Sequence, residues 1–298
     1  MSIKTVAILS PGEMGAAVGA ALHQGGMDVI TCFEGRGAAT RERAKAAGFR
    51  GIDTLDALLA EADIVFSILP PERAPALAET VAEAMQRSGN IRPYCDCNAV
   101  APDTARAIGA IITAAGAPYI DGGIVGSPPG GAKPTRLFVC GPKAGVMDAF
   151  DGMGMAVRQC GAELGRASAI KMVYAAITKG TSALHAAVLL AAEKMGVTDE
   201  LYEELAYSQG AVLKRMENMT PALPAVAERF AGEMREIAAT LASVGVPSGF
   251  HEGAAELYEL LDRSPLSAER RDTVDRDRTL RQTIEICAEY IQLPDAAE

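Results

Sequence analysis

The sequence predicts an α/β N-terminal domain on a mostly parallel, doubly wound sheet, followed by an all-α C-terminal domain, with a long helix joining them. Three observations predict it. Upstream of Gly165, apolar runs of strand length alternate with stretches of helical period. A glycine-bearing turn, Ser10 to Gly15, links the first of those runs to the first helix. Beyond Gly196 every periodic segment is helical, and no convincing strand occurs. The domains are therefore expected at 1–165 and 166–298, in a chain of 298 residues long enough for about two cores.

Thr5 to Leu9 is a short apolar run suited to a buried parallel strand, and Ala16 to His23 reads as a helix. After Gly25-Gly26, a second strand covers Asp28 to Phe33. Strand, glycine loop, helix and strand make a Rossmann-type βαβ unit, whose loop backbone lets a pyrophosphate approach the helix N-terminus. Ser10, Pro11, Gly12, Glu13, Met14 and Gly15 are the candidate dinucleotide loop, with Ser10 where G-x-G-x-x-G has its first glycine. At the end of the second strand, an acidic side chain binds a ribose 2′-hydroxyl, whereas arginine accommodates a 2′-phosphate. Glu34 and Arg36 are both there, with Arg41 and Arg43 a turn further on. The three arginines tip the expectation towards NADP, with NAD as the alternative; a solvated helix face is the plainer reading of the same residues.

Further strands are expected at Ala62 to Leu69, stopped by Pro70-Pro71, within Asn90 to Asn98, and at Arg136 to Cys140. Pro102 opens a helix through about Ala115, and Gly122 to Gly131 reads as a loop too rich in glycine and proline to be regular. Ligands of doubly wound sheets bind beyond the carboxyl ends of the strands. Leu69, Pro70, Asn98 and the Asp121 to Gly131 loop stand at such ends.

The long helix has Ser168 as a candidate N-cap and Gly196 as a C-cap, about 42 Å apart along a helix. Between Ser182 and Ala192 it is apolar on nearly every side, the pattern of a helix buried between other parts of a protein. Near its start stands Lys171, with Tyr174, Ala175 and Thr178 on the same face. Helical segments follow at Asp199 to Met219, Pro224 to Val244, Ser248 to Leu261 and Ala268 to Ile291. Their apolar faces are extensive for a small domain, which predicts burial in a homodimer.

A net charge of -10 argues against nucleic acid and anionic membranes as partners. No uninterrupted apolar run reaches the ~18 residues of a membrane span. The run after Lys4 is broken by Ser10 to Glu13, as a strand and loop are and a signal peptide is not. Six scattered cysteines make no disulfide framework, and nothing near Cys95 and Cys97 completes a zinc set. The expectation is reduced thiols in a cytoplasmic protein without a bound metal.

Taken in order, these segments resemble the β-hydroxyacid dehydrogenases, the superfamily of 6-phosphogluconate dehydrogenase, 3-hydroxyisobutyrate dehydrogenase and the imine reductases. Their G-x-G-x-M-G is matched by Ser10 to Gly15, and their strand ending in Leu-Pro by Ile68-Leu69-Pro70. Asp96 to Arg106 is similar to D-x-S-T-x-x-P-x-T-x-R, and Asp121 to Ser127 to D-A-P-V-S-G-G. Gly165 to Ala175 resembles the catalytic G-x-G/A-x-x-x-K-x-x-x-N segment, which places the family's catalytic lysine on Lys171. The resemblance implies substrate contacts at Asn98, Gly126 and Ser127. The chain departs where the family's asparagine is Ala175, its substrate-binding serine is Val125, its D-x-S-T serine is Asn98, and a C-terminal lysine is Glu233.

The implied activity is hydride transfer between a nicotinamide and the alcohol/ketone pair of a small, hydroxy acid-like metabolite. Lys171 is the expected general acid/base, tuned downward by burial and by a helix N-terminus. Tyr174 and Thr178 would replace the missing asparagine, and His251 would reach a substrate in an intertwined dimer. A surface lysine and packing residues are the plainer readings. An imine reductase of the same fold, or a non-catalytic dinucleotide-binding regulator, are the alternatives.

Overall fold

The computed structural model describes residues 3–270 and 273–291. The chain divides into two compact units, Met1–Tyr174 and Ala175–Glu298, with the division inside the long helix.

In the first unit, the strands are β1 (Thr5–Leu9), β2 (Asp28–Cys32), β3 (Arg50–Ile52), β4 (Ile64–Ser67), β5 (Tyr94–Asp96), β6 (Tyr119–Val125), β7 (Thr135–Cys140) and β8 (Met155–Gln159). They form one sheet in the order β3-β2-β1-β4-β5-β6-β7-β8, parallel throughout except where β7 runs antiparallel to β6. The chain first moves outward from β1 and then returns to lay β4 on its other side. The strand order therefore reverses between β1 and β4, the crevice where such sheets take ligands.

Side chains alternate across this sheet. Val6 and Ile8 join Val18, Leu22, Phe66 and Phe150 on one face, whereas Ala7 and Leu9 join Leu58, Val81, Tyr94 and Ile108 on the other. Covering elements are α1 (Glu13–Gln24), α2 (Ala38–Ala46), α3 (Leu55–Glu61), α4 (Ala74–Ser88) and α5 (Pro102–Ala114). β3, β8, α3 and α4 were not expected, whereas α2 carries Arg41 and Arg43, for which a helix face was one reading. β3 is three residues with one buried position, too short for a period to show. α3 is started by Thr54, whose side chain accepts from the Ala57 N–H at 3.2 Å, and α4 ends at Gly89 with φ 72°.

One segment overturns its expectation. Gly122 and Gly123 are not in an irregular loop but in the middle of β6, which runs on to Val125. A Cβ on Gly122 would lie 2.9 Å from the Asp96 carbonyl oxygen, and one on Gly123 would lie 2.6 Å from that of Ala167. Glycine serves here to let backbones approach, not to turn the chain.

α6 spans Arg166–Met195, starting ahead of Ser168. Gly196, at φ 70°, closes it: its N–H reaches Glu193 and the Val197 N–H reaches Ala192, a Schellman ending. By length and composition α6 would also cross a bilayer, and half of its most apolar window is buried within the protein. It is not enclosed all round, because Leu184 and Val188 are 48% and 40% exposed.

The second unit is all helical among the described residues beyond α6: α7 (Thr198–Ser208), α8 (Gly210–Met219), α9 (Ala227–Ser243), α10 (Gly249–Asp262) and α11 (Leu280–Ala288). The segment expected as one helix over 199–219 is two, parted at Gln209 with φ -140° and ψ 45°. The segment expected over 268–291 is helical only in α11, and its residues 271 and 272 lie outside the described ones. Ahead of α11, buried Arg278 pairs with both Glu269 oxygens at 2.5 and 2.7 Å and donates to the Pro221 carbonyl at 3.2 Å. That irregular backbone is thus held by a bidentate ion pair instead of a helix. All six cysteines are free, and no metal-binding group of three or more ligand residues occurs among the described residues.

Asp96 is fully enclosed in the first unit. Burial pushes its carboxyl up to about 7, the Asn98 N–H bond opposes that, and nearby Asp121 adds to it. The folded chain therefore keeps a proton that an unfolded aspartate, at about 3.9, releases. Stability from this group is complete below pH ~4 and lost as pH rises through ~7. Asp96→Asn keeps an acceptor for the Asn98 N–H and removes that slope. Denaturant unfolding between pH 4 and 8 should show the wild type losing on the order of a few kcal/mol more than the variant; parallel profiles would contradict this.

Candidate active site in the N-terminal unit

The first turn of α6 is gripped by β6. Buried Asp121 accepts at Oδ2 from the Gly165 and Ser168 N–H groups, at 3.0 and 3.2 Å, and at Oδ1 from the Ser168 hydroxyl at 2.6 Å. A helix start leaves N–H groups open and carries the positive end of the dipole, so a carboxylate satisfies both demands. Ser168, expected to cap the helix with its own oxygen, donates that hydroxyl to Asp121 instead. Cys140 Sγ donates to Asp121 Oδ2 at 3.0 Å and accepts from the Ala167 N–H at 3.3 Å. Burial first, and Asp121 beside it, push this thiol up to about 12, so it remains a donor.

Lys171 follows one turn later. It is half-buried, and its Nζ donates to the Ile124 carbonyl at 2.5 Å. Its Cβ would stand 3.2 Å from a Cβ on Gly123, so only glycine at that strand position admits the helix so close. Tyr174 is 49% exposed one turn on. Gly126, at φ 104°, and exposed Ser127 follow directly after β6, where the Ser127 carbonyl accepts from Thr135 Oγ1 at 2.6 Å.

The crevice between β1 and β4 is lined by the glycine loop. Among the described residues, Ser10 is the one non-glycine with positive φ, at 65°, and its carbonyl accepts from the Gly12 N–H at 2.7 Å. A Cβ on Gly15 would lie 2.7 Å from that same carbonyl, so the tight turn requires glycine at position 15. Gly12 precedes α1, and no side chain caps this helix start, which leaves backbone donors for an anionic group. Pro11 is buried, Met14 packs onto the core beneath, and Glu13 is exposed.

Leu69, Pro70 and Asn98 come together at the ends of β4 and β5. Buried Asn98 accepts at Oδ1 from the Leu69 N–H at 2.6 Å and donates from Nδ2 to Ser67 Oγ at 2.8 Å. Its own N–H donates to Asp96 Oδ1 at 2.8 Å. Asn98 thus ties two strand ends, a role its position in the sequence does not reveal. After β2, Glu34 is exposed and Arg36 half-buried. Arg41 does not join them as a loose cation: it donates to the Arg36 and Phe33 carbonyls at 2.9 and 2.7 Å, with its guanidinium 5.1 Å from the Phe33 ring centre.

In the C-terminal unit, Thr178 Oγ1 contacts the Ala175 carbonyl at 3.4 Å, and its own carbonyl accepts from Ser182 Oγ at 3.0 Å. His251 is buried with neither ring nitrogen partnered, against the space a Cβ on Gly180 would fill. Glu233 is buried and paired with Lys179, whose ammonium lies 4.5 Å from the Phe230 ring centre. Sequence reasoning missed Asp121 as the holder of α6 and missed the Lys179–Glu233 pair. The one signal for the second was Glu233 itself, standing where the family resemblance implies a lysine.

Residues 5–165 match the NAD-binding domain of 6-phosphogluconate dehydrogenase, and residues 192–261 match a domain of unknown function. The chain belongs to the β-hydroxyacid dehydrogenase-like superfamily of NAD(P)-dependent oxidoreductases. It is 26% identical to a conserved protein of unknown function described as structurally similar to 3-hydroxyacid dehydrogenases, over 86% of this chain and 96% of that one, with a TM-score of 0.64. It shares its fold with 3-hydroxyisobutyrate dehydrogenase of Mycobacterium tuberculosis, at 20% identity, TM-score 0.66, and 95% and 98% coverage of the two chains. The same holds for an imine reductase of Streptomyces aurantiacus, at 20% identity, TM-score 0.52, and 91% and 98% coverage. The glycine that Ser10 leaves no room to spare for, the uncapped start of α1 and the switch point beside them fit a nicotinamide dinucleotide.

Holding a serine at φ 65° costs about 1 kcal/mol that glycine does not incur. Ser10→Gly should therefore raise unfolding free energy by roughly 0.5–1 kcal/mol. Equal or lower stability in denaturant melts would show that the Ser10 side chain compensates its own strain.

Proposed function

We propose that this protein transfers a hydride between NADP and the alcohol/ketone carbon of a small metabolite, with Lys171 as general acid/base. The observation that carries the proposal is the placement of Lys171: its ammonium stands at the Ile124 carbonyl, near the carboxyl end of β6, in the sheet whose β1 and β4 ends frame the dinucleotide crevice. A bound nicotinamide supplies or accepts the hydride. Lys171 gives its proton to the developing alkoxide in reduction and takes it from the hydroxyl in oxidation. The bond to Ile124 fixes where the ammonium stands along the strand end, and Tyr174, one turn on, offers a hydroxyl on the same side of α6. NADP is favoured over NAD because half-buried Arg36 follows the β2 end, in a loop that Arg41 shapes.

A second reading, reduction of an imine, is supported by the strand end itself. Val125, buried at the end of β6, carries neither a hydroxyl nor an amide where the family resemblance implies a substrate-binding serine. We also propose a homodimer, supported by the exposed Ile170, Val173, Ile177, Leu184 and Val188 along α6.

NADPH oxidation should be followed with panels of 2- and 3-oxo acids, neutral ketones and cyclic imines. Turnover of any class should fall about 10²–10⁴-fold in Lys171→Met. A turning-over substrate whose rate ignores that substitution would remove Lys171 from the chemistry, and imines outpacing every ketone would select the second reading.

A further inference from the structure

We infer that Asp121 is a positioning residue for Lys171, acting through the first turn of α6. The inference rests on the reading of Lys171 as the proton-transfer group. Two contacts, on either side of Gly123, lock one strand to one helix. Asp121 holds the Gly165 and Ser168 N–H groups and the Ser168 hydroxyl, and Ile124 holds the Lys171 ammonium. Gly123, between them, sets the helix against the strand with no side chain intervening. A strand residue thus decides both where α6 begins and how far along β6 the lysine reaches.

The geometry makes the clasp stiff. Asp121 is buried, and its four partners come from three segments: the turn before α6, the helix itself and β7 through Cys140. Bonds to a buried carboxylate are charge-assisted and short. The Cys140 thiol bridges acid and helix, donating to Asp121 and accepting from the Ala167 N–H. Amide in place of the carboxylate would present one NH2 group to N–H donors, and the helix start would have to rotate or slide. Because the helix is rigid, a small movement at Ser168 arrives at Lys171 undiminished. A displacement of about 1 Å at a reacting group is enough to cost 10²-fold in rate.

Lysine acylation at limiting reagent, read for every lysine by peptide mass spectrometry, tests this without knowledge of the substrate. In the wild type, half-buried Lys171 should label more slowly than exposed Lys133 and Lys143. Asp121→Asn should change the Lys171 rate at least threefold while leaving Lys133 and Lys143 as they were. Ser168→Ala, which removes one of the clasp's bonds, should shift Lys171 in the same direction by less, and it reads the clasp even if Asp121→Asn does not fold. Once a substrate is in hand, both variants should lower kcat with the KM for NADPH retained. An unchanged Lys171 rate in folded Ser168→Ala and Asp121→Asn would overturn the positioning role. Normal labelling shifts with no activity in any substrate panel would instead leave the clasp standing and count against the proposed reaction.

Discussion

The account turns on one buried carboxylate. Asp121 meets the N-terminal end of the longest helix in the chain, and every neighbour of that contact is arranged to permit it. Gly122 and Gly123 remove side chains from the strand so that Asp96 and α6 can approach from either side. Cys140, next to Asp121 in the antiparallel register of β6 and β7, is kept protonated so that it can donate. Asp96, the parallel-register partner on β5, has its carboxyl pushed up to about 7 by burial first, with Asp121 adding to the rise. Removing the Asp121 carboxyl would leave two enclosed N–H groups, those of Gly165 and Ser168, without acceptors, at about 1–3 kcal/mol each.

At the other functional end, the constraint is steric rather than electrostatic. The turn after β1 is so tight that Ser10 takes a left-handed backbone and position 15 has no room for a Cβ. Strain of this kind persists where surrounding structure imposes it, commonly at ligand sites. Asn98 completes this region by joining the β4 and β5 ends through Leu69 and Ser67, so these two strand ends are fixed relative to one another before any ligand arrives. Arg41 does the same for the β2 end by binding two carbonyls of its own loop. These groups shape the crevice, and exposed Glu34 and half-buried Arg36 follow the β2 end beside it.

The doubly wound class, the glycine-bearing turn and the long helix were legible in the sequence because each follows from local pattern. Apolar β-branched runs mark strands buried on both faces, and a glycine closes α6 at the expected place. What was not legible depends on contacts distant in sequence. Gly122 and Gly123 look like loop residues until Ala167 and Asp96 are brought beside them. Ser168 looks like a cap until Asp121, far away in the chain, claims its hydroxyl. Glu233 looks like a lost substrate contact, yet it is satisfied by Lys179 on another helix. The segment before α11 reads as helical because its composition allows one, whereas Glu269 and Arg278 are joined there by a bidentate ion pair.

The central claim is that the β1–β4 crevice binds a nicotinamide dinucleotide independently of Lys171, the proposed proton-transfer group. Fluorescence titration of NADPH against wild type, Gly15→Val and Lys171→Met tests it most directly. The account predicts saturable binding by wild type and Lys171→Met, and its loss in Gly15→Val, whose side chain would collide with the Ser10 carbonyl. No binding by the wild type, or binding indifferent to Gly15→Val, would contradict it.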